Sequence, residues 1–169
     1  MSELLDRLHP RKEDRGLMAD LRCALVESKK HRAWPALHRL GVDVTNRVAA
    51  VVAALYATHP KEGPGNLGDT CRTIQRLRGD SRGDEKLTPI ERRFLHLLAA
   101  DNDDELHQRV TRMVLAAKSL DVPVNYEQLE TDLKFWSRSD RTKTEWAAHF
   151  WASEANSDAS PAAEEGADT

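Results

Sequence analysis

The chain has 169 residues, with 25 Lys and Arg against 28 Asp and Glu, 40% hydrophobic residues and 31% charged ones. That length suits one domain with a sizeable core or two small helical lobes, and the high charge fits helices with wide solvated faces. No apolar run is long enough to span a bilayer, and MSELLDRLHPRKED interrupts its short apolar pieces with charges, unlike a signal peptide.

Residues 1–14 are read as a flexible N-terminus, and residues 15–152 as the helical domain. Val44, Val48, Val51, Val52 and Leu55 recur at helical spacing, with Asp43 as the expected N-cap. His59-Pro60 stops that helix, because the residue before proline is pushed out of the α region. Asn66 and Asp69 can open the next helix, which carries Leu67, Cys71, Ile74 and Leu77 and ends in the GDSRG stretch at Gly79–Gly83. Thr88-Pro89-Ile90-Glu91 combines a capping threonine, a proline at the first helical position and a glutamate that reaches back. Ile90, Phe94, Leu97 and Leu98 form the face behind it.

The same signal recurs twice. Asn102 and Glu105 precede Leu106, Val110, Met113, Val114 and Ala117; Asn125 and Gln128 precede Leu129, Leu133 and Trp136. Trp146 and Phe150 lie one turn apart on a last helix. Val122-Pro123-Val124 is too short for more than an extended connector, and no alternating strand pattern is present. The expected fold is all-α: a compact bundle of roughly eight helices, or two small lobes, with short links and mostly antiparallel neighbours. Residues 153–169 hold five acids, no base and no aliphatic period, so a disordered acidic tail is expected. Without that tail the chain carries 25 bases against 23 acids (28 less these five), about +2.

A nucleic-acid footprint would therefore have to come from clustering rather than bulk charge. The candidates are Arg22, Arg47, Arg72, Arg76, Arg92, Arg93, Arg109, Arg112, Arg138 and Arg141. Arg72 and Arg76 are one turn apart, Arg109 and Arg112 share a helix side, and Arg92 and Arg93 point away from Phe94. Guanidinium groups suit phosphate because their fork matches two oxygens. The alternative is a solvated face laced with internal salt bridges, for example through Glu91. Catalytic and metal signatures are missing. The seven histidines form no H-x-x-x-H pair, Cys23 and Cys71 have no partner at ligand spacing, and GPGNLG lacks the GK[ST] ending of a phosphate loop. No cofactor is expected. Isolated cysteines in a chain without a leader suggest buried thiols in a reducing cytoplasm. Trp136, Trp146 and Phe150 are read as core, and Trp151 as the aromatic most open to a partner or a base.

The order of IERRFLHLLAAD, LHQRVTRMVLAAKS, VPVNYEQLETDLKFW and EWAAHFW resembles the small, CasB-type subunit of the type I-E CRISPR surveillance complex, Cascade. LRCAL, His59-Pro60 and GNLGDTCRTIQRL extend that likeness upstream, so it covers most of residues 17–152. The resemblance implies a non-catalytic subunit present as a pair of copies, beside CasC-type backbone subunits, the large CasA-type subunit and the CRISPR RNA. It implies that the subunit holds single-stranded and R-loop DNA, with Arg22, Arg47, Arg92, Arg93 and Arg112 at matching basic positions and Arg72 and Arg76 more weakly so. The rival reading is a helical protein–protein adaptor whose arginines only solvate its faces.

Overall fold

The computed structural model describes residues 2–79 and 86–152. The acidic segment 153–169 and most of the GDSRG stretch lie outside the described residues. Those described residues fold into nine α-helices with no strand: α1 Glu3–Leu8, α2 Arg15–Arg22, α3 Trp34–Arg39, α4 Arg47–Thr58, α5 Leu67–Arg78, α6 Pro89–Leu98, α7 Asp103–Ser119, α8 Tyr126–Phe135 and α9 Arg141–Phe150. Short 3₁₀ pieces at His9–Arg11, Cys23–Leu25 and Glu27–Ala33 join the first helices. One apolar cluster draws side chains from all nine, so a single core forms rather than two lobes.

The N-terminus departs from expectation. Leu4, Leu5 and Leu8 are buried on α1, which packs against α4, so the helical body begins at Glu3 rather than at residue 15. Six residues are too few for a clear periodic signal, but three leucines on one face give this helix a reason to dock.

Caps set the helix starts. Asn66 with Asp69 and Thr88 with Glu91 form complete capping boxes, each satisfying two backbone donors. Asn102 and Asn125 cap α7 and α8, accepting from Glu105 N at 2.9 Å and Gln128 N at 3.0 Å. Their third residues do not reach back: Glu105 accepts from Asp101 N, and Gln128 donates to Asp132. For α4 the cap is Asn46, accepting from Ala49 N at 3.1 Å, and not Asp43. The Asp43 carboxylate instead accepts from Thr45 N and Oγ1, closing a local turn that leaves Val44 exposed outside the helix. Leu77 is likewise exposed, because α5 runs past its last packed turn before Gly79 ends it in the left-handed conformation at φ 65°.

Helix α4 is the hub, packed against α1, α2, α7 and α8. Ala49, Val52, Ala53, Ala54, Leu55, Tyr56 and Ala57 are all buried, and the run of alanines lets neighbouring backbones approach. Beyond it, residues 61–63 pair with 122–124 through a parallel bridge at Glu62 and Val124, and His59 Nε2 donates to Val122 O at 2.6 Å. The two connectors, each too short for a strand, satisfy one another. Elsewhere in the core α5 packs on α9. A Cβ on Gly68 would sit 2.1 Å from the Trp146 carbonyl oxygen, so only glycine permits that approach. The Trp146 indole donates to Asp132 at 2.7 Å, tying α9 to α8. Burial raises the Asp132 carboxyl above its usual range, and the bonds from Trp146 and Gln128 oppose that shift.

Phe94 is fully buried and stacks on Phe150 at 4.4 Å between ring centroids. Phe94→Ala is expected to destabilise by about 3–5 kcal/mol in chemical denaturation, the usual cost of removing a core aromatic. Gly68→Ala should also lower the melting temperature, although an alanine in a helix interior ordinarily raises it. A Gly68→Ala protein as stable as the parent would contradict the α5–α9 crossing.

Candidate nucleic-acid interface

The ten candidate arginines divide by what their side chains touch. Arg22, at the end of α2, donates from Nε to the Ala57 carbonyl at 3.0 Å. It thereby satisfies one of the carbonyls left open at the C-terminus of α4, where a cation also suits the helix dipole. Arg109 on α7 donates to the His96 carbonyl and pairs with Glu105, tying α7 to the last turn of α6. Both arginines hold helices together. Arg141 pairs with Glu145 one turn along α9 at 2.9 Å, and Arg138 lies over the Phe135 ring at 5.1 Å.

Arg92 and Arg93 are exposed on α6, flanking the buried Phe94. Neither makes an ion pair among the described residues. Glu91 is buried and closes the capping box with Thr88. On α5, Arg72 is half-buried and Arg76 exposed.

Of the ten, Arg47 and Arg112 line one groove together. This cavity, about 650 Å³, lies between the Glu27–Ala33 turn with α3 on one hand and α4 with α7 on the other. Arg47 reaches it because Asn46 starts α4 at that point; Arg112 reaches it from the polar side of α7, between the buried Val110 and Met113. Arg47 pairs with Asp104 across the α4–α7 contact, and Lys30 pairs with Glu27 at 2.7 Å. Arg112 makes no ion pair among the described residues. His107 also lines the groove and is buried. Burial holds its imidazole below the ordinary histidine range, and the neighbouring Arg47 cation adds to that effect. A neutral ring is thus favoured beside the charged rim.

Sequence spacing did not point to Lys30, Trp34, His107 or Gln108 as companions of Arg47 and Arg112. Nothing in the local sequence around Trp34 and Pro35 says that α3 faces α7. Among the described residues no group of three or more His, Cys, Asp and Glu is placed to hold a metal ion. Both cysteines are free thiols. Cys71 is buried, which pushes its thiol far up, whereas Cys23 is only partly buried, packed against the core. Trp151 is partly exposed, yet its ring meets Phe94 and Phe150 edge-on at 5.4 and 4.8 Å.

The division predicts separate stability effects. Arg22→Ala and Arg109→Ala should each destabilise by about 1 kcal/mol or more, since each leaves a helix-end carbonyl without its charged donor. Arg92→Ala, Arg93→Ala and Arg112→Ala should stay within about 0.5 kcal/mol of the parent, as surface changes do. Chemical denaturation of the five variants distinguishes the two groups.

The model of the CRISPR-associated protein Cse2 family matches residues 17–151. The fold is similar to that of a Cse2-family CRISPR-associated protein from Thermus thermophilus, with a TM-score of 0.69 and 23% identity over 89% of this chain and 94% of that one. It is also similar to CasB of M. ruber, with a TM-score of 0.67 and 21% identity over 92% of this chain and 96% of that one. CasB from Thermobifida fusca gives a TM-score of 0.64 and 21% identity over 88% and 93% of the two chains. No curated protein matches the chain by sequence. The chain belongs to the Cse2 family of CRISPR-associated proteins, the family of the CasB-type small subunit of type I-E Cascade that its sequence resembles.

Proposed function

We propose that this protein is a non-catalytic, nucleic-acid-binding subunit of a cytoplasmic RNA-guided antiviral complex, and that its arginines hold the opened target DNA. Its partners in this reading are CasC-type backbone subunits, the CasA-type large subunit, a second copy of itself, the CRISPR RNA, and single-stranded and R-loop DNA. The observation that carries it is the placement of Arg112 in the groove and of Arg92 and Arg93 on α6, exposed and without carboxylate partners among the described residues. Exchange of a DNA duplex for an RNA–DNA heteroduplex is nearly balanced, so modest backbone contacts can decide how long the open state lasts. Phosphate contacts supply this without reading sequence. Arg47 is paired with Asp104, but both side chains are more than half exposed. Exposed pairs contribute little, so a phosphate can replace the aspartate at small cost.

The adaptor reading draws on a different observation. Arg22 and Arg109 are engaged within the fold, and Lys30, Arg47 and Arg141 have internal carboxylate partners. For those five side chains the solvated-face account is sufficient by itself.

An Arg→Ala series at positions 47, 92, 93 and 112, assembled into the complex, separates the two readings. Removing one arginine–phosphate interaction should reduce the salt slope of DNA binding by roughly 0.7 for a single strand or 0.9 for a duplex. On a correctly paired target the open loop should be shorter-lived, with base preference unchanged. Variants that assemble normally and keep both the parent's loop lifetime and its salt slope would favour the adaptor.

A further inference from the structure

Trp34 is nearly half exposed, although tryptophan has much apolar surface to hide. The other tryptophans differ from it. Trp136 and Trp146 are buried against each other at 4.9 Å, and Trp151 is braced by Phe94 and Phe150. Among the aromatic rings of the described residues, Trp34 meets only that of the exposed His31, in a T-shaped arrangement at 6.4 Å. It stands at the first position of α3, followed by Pro35, whose fixed φ steadies the turn that presents the ring. The ring lines the same groove as Arg112 and Gln108.

Charge alone does not explain what such a groove would take. Lys30 and Arg47 are offset by Glu27 and Asp104, which leaves Arg112 as the lining cation without an acidic partner among the described residues. One guanidinium is a weak attractor for a polyanion but a sufficient fork for one phosphate. A partly exposed indole lining the same groove is the complement of a nucleobase, and stacking is tolerant of sequence because every base has a π-face. The Gln108 amide, exposed on α7, can donate to or accept from a base edge. The space, about 650 Å³, is of the size that holds a small organic ligand. Bases in a duplex are covered by their neighbours, so only an unpaired nucleotide could present its face.

We propose that this groove is a subsite for one unstacked nucleotide of a single-stranded nucleic acid, with its base on the Trp34 indole and its phosphate on Arg112. The proposal rests on the nucleic-acid-holding function above and names the chemistry of one of its contacts.

The test uses the full chain at low salt and two labelled oligonucleotides of equal length and charge: oligothymidine, and the same backbone without bases. Oligothymidine should quench tryptophan fluorescence of the parent, and the abasic strand should not. Trp34→Ala should weaken oligothymidine binding about five-fold or more, the low end for one stacked base, and abolish the quench. It should leave abasic binding unchanged, and Trp34→Phe should retain most of the affinity. If the parent binds both strands equally and Trp34→Ala weakens neither, the stacking subsite is wrong while phosphate holding stands. Equal losses on both strands overturn it too, because a base contact cannot act on a strand without bases. A chain that binds neither strand also refutes it, and the loop-lifetime series in the assembled complex then decides the holding function by itself.

Discussion

Helix α4 is buried on nearly every side, and much of the molecule follows from that. A helix with so little solvated flank has its polar needs mainly at its ends, where backbone groups lack partners within the helix. At the C-terminal end the structure supplies those partners from distant parts of the chain. Arg22 donates to the Ala57 carbonyl, and Tyr126 donates to the carbonyls of Leu55 and His59. At the N-terminal end Asn46 caps the helix and Arg47 turns outward. The helix that organises the core therefore also fixes where one wall of the groove begins.

The same economy explains why the arginines cannot be treated as one set. A guanidinium has a long apolar stem and five donors, so it serves equally well to tie helices or to meet a phosphate. Arg109 bridges α6 and α7, whereas Arg112, one turn further along the same helix, opens into the groove. Three residues of spacing put them on neighbouring parts of one helix side. What differs is the neighbour: the end of α6 beside the first, open space beside the second. A formal body charge of only about +2 fits this division, because many of the bases are offset within the fold.

Where α5 meets α9, contact distance matters more than charge. Gly68 lets α5 lie against the backbone of α9, and the Trp146 indole reaches Asp132 from there. A buried carboxylate without a donor would be costly, so the tryptophan fills space and satisfies that group together. This contact places Phe150 and Trp151 over Phe94 and links the last helix to α6, which carries Arg92 and Arg93.

Much of this was written locally in the sequence. Asn66-x-x-Asp69 and Thr88-Pro89-Ile90-Glu91 mark helix starts because a cap acts within four residues, and Leu106, Val110, Met113, Val114 and Ala117 mark a buried face because helical periodicity repeats over many turns. The all-α class and the family likeness came from the same short-range order. Local signals failed where a choice depended on something distant. Asp43 and Asn46 are both good caps, and the packing of α4 selects Asn46. The N-terminal leucines of α1 resemble a fraying end until α4 gives them a surface. Which arginines are engaged, and that Trp34 shares a groove with Arg47 and Arg112, was settled by tertiary packing alone. Those residues lie up to 78 positions apart in the chain, and no periodicity or capping rule acts over such a distance.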